Sequence, residues 1–307
     1  MWFFSKGLKA NVMSTELIIE ANVSKSVLYK ALKYAKEFEK RYSAYNPSSF
    51  LNTLNDAAGT EALPCSMQDL DIFHQAYNIA ALSGGVFDPT IGALTQGLYG
   101  FGKKEKKVPT QDEINRVKEL VNYKNIEIKD NSILLKKKGM RLDLGGIGKG
   151  YVADKIIEIL LNSGATKGFV SVGGEIVSFG RNYQFAIKNP FEKNSISAVI
   201  KTSKKALSIA TSGDYERFVK SQKHHHILNA STTKQSHYYT SLTLVKNGID
   251  ATSLDAITTI IFNSQPEELA SLAKKFETII IAITHNKEIL FENFSDSNID
   301  SIEFFSF

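Results

Sequence analysis

The sequence predicts an α+β fold in which largely antiparallel or mixed sheets carry packed helices. Hydrophobic runs of period two and runs of helical spacing are both present, yet they do not alternate regularly, which argues against a doubly wound parallel sheet. The second half of the chain is rich in short strand-like runs. With 307 residues and 43% hydrophobic content, the chain can bury one large core or two intimately packed lobes. No long Pro/Gly/Ser linker, fixed-period repeat or low-complexity tract divides it.

Residues 15–22 alternate as a strand, and Val27, Leu28, Ala31, Leu32, Ala35 and Phe38 recur at helical spacing through residues 24–42. A second helix covers residues 67–82. A third covers 111–122, with Pro109-Thr110 as its start signal, and residues 126–136 form a hairpin around Lys129-Asp130-Asn131. A strand from Arg141 then enters a glycine-rich turn and a helix over 150–161. Strands follow at 168–172, 176–179, 184–188, 197–201, 206–210, 239–245 and 278–284, with helices from Ser253 and through 267–276 between the last two.

The net charge of +5 is modest for this length, and the short basic runs 103–107 and 136–138 have no aromatic interleaving. They read as solvated loops, which sets nucleic acid aside as a partner. The single cysteine, Cys65, allows no internal disulfide and leaves the compartment undecided. No run of 18 apolar residues predicts a transmembrane segment. At the N-terminus the apolar stretch is too short for a secretory core, and Lys6 and Lys9 follow it instead of preceding it.

The most informative stretch is residues 141–154, RLDLGGIGKGYVAD. Glycines let the main chain approach an anion, and the first amides of a following helix have no intrahelical partners. The two common nucleotide patterns fail here. Gly150 is followed by Tyr151 and not by the Lys-Ser/Thr of a Walker loop, and Gly146, Gly148 and Tyr151 break the Gly-x-Gly-x-x-Gly fingerprint. A phosphate bound by this loop is bound in another kind of fold.

Other segments could carry chemistry. Tyr45, within Ser43 to Ser49 and followed by Leu54-Asn55, can stack on a planar ring, although its serines also suit a capped turn. In Ser83-Gly84-Gly85-Val86-Phe87-Asp88-Pro89-Thr90 the glycines fit a helix C-cap, while Phe87 and Asp88 add an aromatic and a carboxylate in a rigid turn. Asp255 and Thr259 share one helical face and can point at one hard cation; an aspartate near a helix start also compensates the macrodipole. His224, His225 and His226 on a strand alternate sides and so cannot all hold one metal, though one can face a ligand. Gly173-Gly174-Glu175 and Thr211-Ser212-Gly213-Asp214-Tyr215 are small, polar turns that suit cleft walls.

Taken in order, these segments resemble the ApbE family, flavin transferases that move FMN from FAD onto a hydroxyl of a target protein. The resemblance is carried by Met13-Ser14-Thr15, Ser43-x-Tyr45-x3-Ser49 with Leu54-Asn55, Gly84-Gly85-x-Phe87-Asp88-Pro89-Thr90, the stretch from Asp143 to Tyr151, Val172 to Ile176, Thr211 to Tyr215, His226-Ile227 and Asp255-Ala256. It implies a T-fold-like, two-lobed single catalytic unit over residues 13–307, with 1–12 as a lead segment. Its FAD site would be lined by Met13, Tyr45, Val86, Phe87, Asp88, Asp143 and Lys149, with Ile227 beside it. It further implies magnesium held by Asp255, Thr259 and the Gly146 carbonyl, with Thr258 as a further candidate.

The resemblance makes His226, Asp255 and Lys149 the catalytic set. His226 is the expected general base for an acceptor Ser/Thr hydroxyl, with Asp214 as the alternative. Two departures stand out. After the histidine the family reads Asp-Pro-x-Thr-Gly where this chain reads Asn229-Ala230-Ser231-Thr232-Thr233, and Phe50 stands where the family has a glutamate. Implied partners are FAD and an acceptor flavoprotein, including flavin-carrying subunits of membrane electron-transfer complexes. The family's frequent export favours a periplasmic or inner-membrane-associated location, with the cytoplasm as the alternative. Competing activities are FAD hydrolysis to FMN and AMP, and flavin binding without catalysis.

Overall fold

The computed structural model describes residues 2–4, 7–293 and 298–307, with backbone alone for 2–4. The chain forms two compact units. The first comprises Met1–Glu37, Gly148–Gly213 and Tyr238–Phe307, and the second Phe38–Ile147 and Asp214–His237. Both mix helices with antiparallel sheets, as the irregular order of elements predicts.

The first unit is built on a nine-stranded sheet in which every neighbouring pair is antiparallel. Its order is Trp2–Phe4, Gly7–Val12, Thr15–Ala21, Gly168–Val172, Glu175–Phe179, Leu207–Gly213, Tyr239–Asn247, Thr278–Thr284 and Ile289–Glu292. Residues 7–12, which carry no strong strand signal, pair along their length with Thr15–Ala21. Met13 and Ser14 join the two with φ of 52° and 61°. Both left-handed positions of a tight hairpin are thus filled without glycine.

Alternation along the strands gives this sheet two covered faces. Leu207, Ile209, Val245, Ile279 and Ile281 pack against Ile187, Ala198 and Ile200 of a three-stranded sheet, Gln184–Lys188, Ile196–Thr202 and Ile299–Phe304. The helices Gly148–Asn162 and Ala251–Phe262 pack on each other and on the nine-stranded sheet. The second of these is buried over nearly its whole circumference, so the side chains of its one aspartate, Asp255, and of Thr252 and Thr258 must be satisfied internally. Gly150 permits the close approach of the two helices, because a Cβ there would strike the Ala251 carbonyl.

The second unit holds the helices Phe50–Asp56, Met67–Leu82 and Gln111–Val117 and a small sheet in which Ser132–Leu135 lies between Leu63–Pro64 and Ile126–Lys129. Asp130 and Asn131 are left-handed, closing the hairpin that the sequence predicts. Leu94, Tyr99, Phe101, Ile114, Val219 and Leu228 form a core. The expected helix over 111–122 ends at Val117 and continues as a 3-10 turn to Leu120. The Asn122 side chain accepts from the Lys124 amide and starts a separate turn.

One sequence expectation is corrected. The segment from Arg141 is extended but is no strand, having only an isolated bridge between Arg141 and Ile91. Its main-chain groups bond elsewhere: Asn55 accepts from the Leu142 amide at 2.6 Å and donates to the Leu142 carbonyl at 3.2 Å. The Asp143 amide donates to the Pro89 carbonyl at 2.7 Å. A side-chain amide does here what a neighbouring strand would do, and hydrophobic periodicity cannot distinguish the two.

Candidate functional site

In the first unit, Lys149 and Asp255 meet where the Gly148–Asn162 helix begins. Lys149 places its Nζ 2.6 Å from Glu175 Oε1 and 3.4 Å from Asp255 Oδ1. The second Asp255 oxygen accepts from the Gly150 amide at 3.1 Å, one of the helix's unpaired first-turn donors. Glu175 and Asp255 are both buried. Burial pushes the Glu175 carboxyl up to about 8, against the opposing pull of the Lys149 ammonium.

The position of Asp255 is fixed from both ends of its helix's first turns. Asp154 accepts from the Ala251 amide at 2.9 Å and the Thr252 amide at 2.8 Å, and from the Thr252 hydroxyl at 2.6 Å. It therefore caps a helix to which it does not belong. Thr258 donates to the Asp255 carbonyl at 2.6 Å and meets Ser212 Oγ at 2.8 Å. Its proton is thus used within the fold, which leaves Thr259, half-buried and one turn beyond Asp255, as the hydroxyl better placed for a cation. Among the described residues no three His, Cys, Asp or Glu side chains cluster for a metal. Asp255 and Thr259 are hard oxygen donors of the kind magnesium prefers, with water completing its shell. Met13, half-buried in its hairpin, completes the predicted residues of this unit.

In the second unit the predicted residues sit on loops tied together by side-chain hydrogen bonds. Asn52, from the helix capped by Ser49, donates to the Ala44 carbonyl at 3.1 Å and the Asn46 carbonyl at 2.8 Å, fixing the turn that carries Tyr45. The Tyr45 ring lies over Gly102, where a Cβ would collide with it. Asp143 accepts from the Gly145 amide at 2.8 Å and from the Thr95 hydroxyl at 2.7 Å. Thr95 opens a π-helical turn, Thr95–Tyr99, a conformation frequent at functional sites. Gly146 lies in the turn that follows Asp143.

Asp88 is buried, and its carboxylate is taken up by the fold. It accepts from the Thr90 amide at 2.8 Å, the Thr90 hydroxyl at 2.6 Å and the Tyr123 amide at 2.7 Å. Burial raises its pKa in spite of these bonds. Phe87 is buried beside it, and the half-buried Val86 accepts through its carbonyl from the Ala230 amide at 3.0 Å.

The histidine run divides by role. His225 is fully buried; its Nε2 meets the Ser236 carbonyl at 2.9 Å and its Nδ1 accepts from the Ile227 amide at 3.2 Å. His226 places Nδ1 3.0 Å from the Arg217 carbonyl. A carbonyl can only accept, so Nδ1 carries the proton and Nε2 is the basic nitrogen of the neutral ring. Ile227 is buried beside them, and Asp214, also buried, has its carboxyl pushed up to about 7 by desolvation.

At both positions that depart from the family pattern, neighbouring groups account for the residue present. Asn229 Oδ1 accepts from the Ser231 amide at 3.1 Å, the Ser231 hydroxyl at 2.7 Å and the Thr232 amide at 3.2 Å. This side chain closes a turn without proline. Phe50 lies under the Arg41 guanidinium, 4.1 Å from the ring centroid, while Arg41 pairs with buried Asp69.

Sequence reasoning gave no role to Asn52, Thr95 or Asp154, and read Glu175 and Ser212 only as parts of turns suited to cleft walls. Glu175 had a signal, its place after two glycines, because Gly173 is left-handed and a Cβ at Gly174 would strike the Thr211 carbonyl. Thr95, Asp154 and Ser212 bond across long sequence separations, and Asn52 bonds to the irregular turn just before its helix, so their contacts follow no periodic pattern.

Comparison with known proteins places this geometry in a family. The sequence model of the ApbE family matches residues 13–283. A FAD:protein FMN transferase of Vibrio cholerae is 28% identical over 219 residues, which cover 68% of this chain and 65% of that protein's length. Another of the same name, from Treponema pallidum, is 26% identical over 274 residues, 82% of this chain and 75% of the relative. The crystal structure of the ApbE protein of Thermotoga maritima superimposes with a TM-score of 0.83 at 25% identity, covering 94% of this chain and 96% of that one. The apo flavinyl transferase ApbE of Pseudomonas stutzeri shares the fold, with a TM-score of 0.82 at 17% identity over 98% and 99% of the two chains.

Proposed function

Because the chain belongs to the ApbE family, we propose that it is a magnesium-dependent transferase that moves FMN from FAD to a Ser or Thr hydroxyl of an acceptor protein and releases AMP. The observation that carries this reading is the buried acidic cluster at a helix start, in which Asp255 is held by the Gly150 amide and faces the Lys149 ammonium. When bound at Asp255 and Thr259, with the Gly146 carbonyl as the third donor that the resemblance assigns, magnesium supplies positive charge for the oxygens of the pyrophosphate.

The chain's own residues supply the rest. The acceptor hydroxyl oxygen forms a bond to the FMN phosphorus, and the bond from that phosphorus to the bridging oxygen breaks, so AMP leaves with the electron pair. His226 takes the hydroxyl proton at Nε2, the nitrogen left basic by the Nδ1 contact with Arg217. Lys149 adds a positive charge toward the phosphates. Tyr45, Val86, Phe87, Asp143, Ile227 and Met13 are assigned to the flavin nucleotide, and Asp88 serves it by bracing the loop that carries Phe87.

The absence of an Asp-Pro turn after His226 would suit flavin binding without catalysis. The Asn229 turn supports the catalytic reading instead. The test is Asp255→Ala, assayed for AMP release from FAD with magnesium and for FAD binding. The expected result is a fall in turnover of at least roughly a hundredfold with FAD still bound. Unchanged turnover would refute the assignment.

A further inference from the structure

Lys149 has two acidic partners in the first unit, and they are unequal. Its ammonium is 2.6 Å from Glu175 and 3.4 Å from Asp255. One ammonium thus stands between two buried carboxyl groups. An ammonium resting on Asp255 puts a positive charge where a cation would have to sit. Like charges a few ångströms apart repel far more strongly in a protein interior than in water.

The two carboxylates also differ in how they are held. Glu175 opens the Glu175–Phe179 strand immediately after a turn whose glycines leave no room for a Cβ at either position. Its backbone is therefore fixed. Lys149 reaches the cluster on a long, flexible stem and can shift between its two partners. We propose that Glu175 is a positioning residue that draws the Lys149 ammonium away from Asp255, leaving that aspartate open to a divalent cation. The proposal rests on the magnesium reading above and gives Glu175 a role through Lys149, not as a metal ligand. Lysine and cation then compete for Asp255, and Glu175 sets the outcome.

The experiment is calorimetric titration of Mg2+ into the full chain and three variants, Glu175→Gln, Lys149→Met and the double variant, each checked by thermal melting for a folded state. Glu175→Gln is expected to weaken Mg2+ binding roughly tenfold, the scale of one opposing charge in a partly screened site. Lys149→Met is expected to bind at least as tightly as the wild type. The double variant should match Lys149→Met, because without the lysine the glutamate has nothing to hold. Wild-type affinity in Glu175→Gln overturns the proposal, as does a double variant that keeps the full loss, since Glu175 would then act on the metal itself. A wild-type chain that takes up no Mg2+ overturns the metal reading together with this proposal, whereas the other contrary outcomes leave that reading standing. If Lys149→Met does not fold, Lys149→Gln carries the same expectations.

Discussion

At the scale of single residues, the buried carboxylates do different work, and their surroundings separate them. Asp154 and Asp88 are consumed as caps and braces, Asp255 is half-engaged by one amide and one lysine, and Asp214 is raised to about 7 by desolvation. An acid raised above its ordinary value keeps its proton in the folded state after the unfolded chain has lost it. Its contribution to stability is present below about pH 4 and is lost as pH rises toward 7. Asp214→Asn is therefore expected to flatten the fall in urea midpoint between pH 4 and 7.5, measured without metal or FAD; a wild-type slope in the variant would contradict this. The candidate residues were legible from ordered motifs, but which carboxylates are free for chemistry was not. That depends on hydrogen bonds from residues such as Thr252 and Tyr123, far away in sequence.

At the scale of elements, the short helix Phe50–Asp56 has a larger part than its seven residues suggest. Asn52 fixes the Tyr45 turn, and Asn55 takes the place of a neighbouring strand for Leu142. Removing Asn55 leaves a buried amide and a buried carbonyl without those partners. Asn55→Ala is expected to cost about 2–4 kcal/mol of stability and to raise the KM for FAD more than it lowers kcat. Urea denaturation and steady-state kinetics check both, and a change below about 0.5 kcal/mol, the scale of ordinary surface substitutions, would show that the brace is dispensable. Long periodic elements such as Met67–Leu82 and Thr278–Thr284 were readable because their spacing repeats. The Phe50–Asp56 helix, the π-helical Thr95–Tyr99 and the strand Ile299–Phe304 were not. The first is too short to show a period, the second depends on its packing, and the third pairs with a strand about a hundred residues earlier.

At the scale of the whole molecule, the α+β character followed from the irregular order of strands and helices, and the sheets are antiparallel as expected. The path of the chain through two units, leaving the first unit twice and returning to it, has no local signature. It follows from long-range pairing such as that of Thr15–Ala21 with Gly168–Val172. No helix among the described residues is long and apolar enough to cross a membrane. Transfer of FMN to a protein hydroxyl is read by intact-mass spectrometry of an acceptor flavoprotein, prepared without its flavin, after incubation with this chain, FAD and magnesium. The acceptor is expected to gain the mass of FMN less one water on a Ser or Thr, with one AMP released per FMN attached and no gain after chelation of the metal. An acceptor of unchanged mass while AMP accumulates would contradict transfer and leave hydrolysis of FAD as the activity.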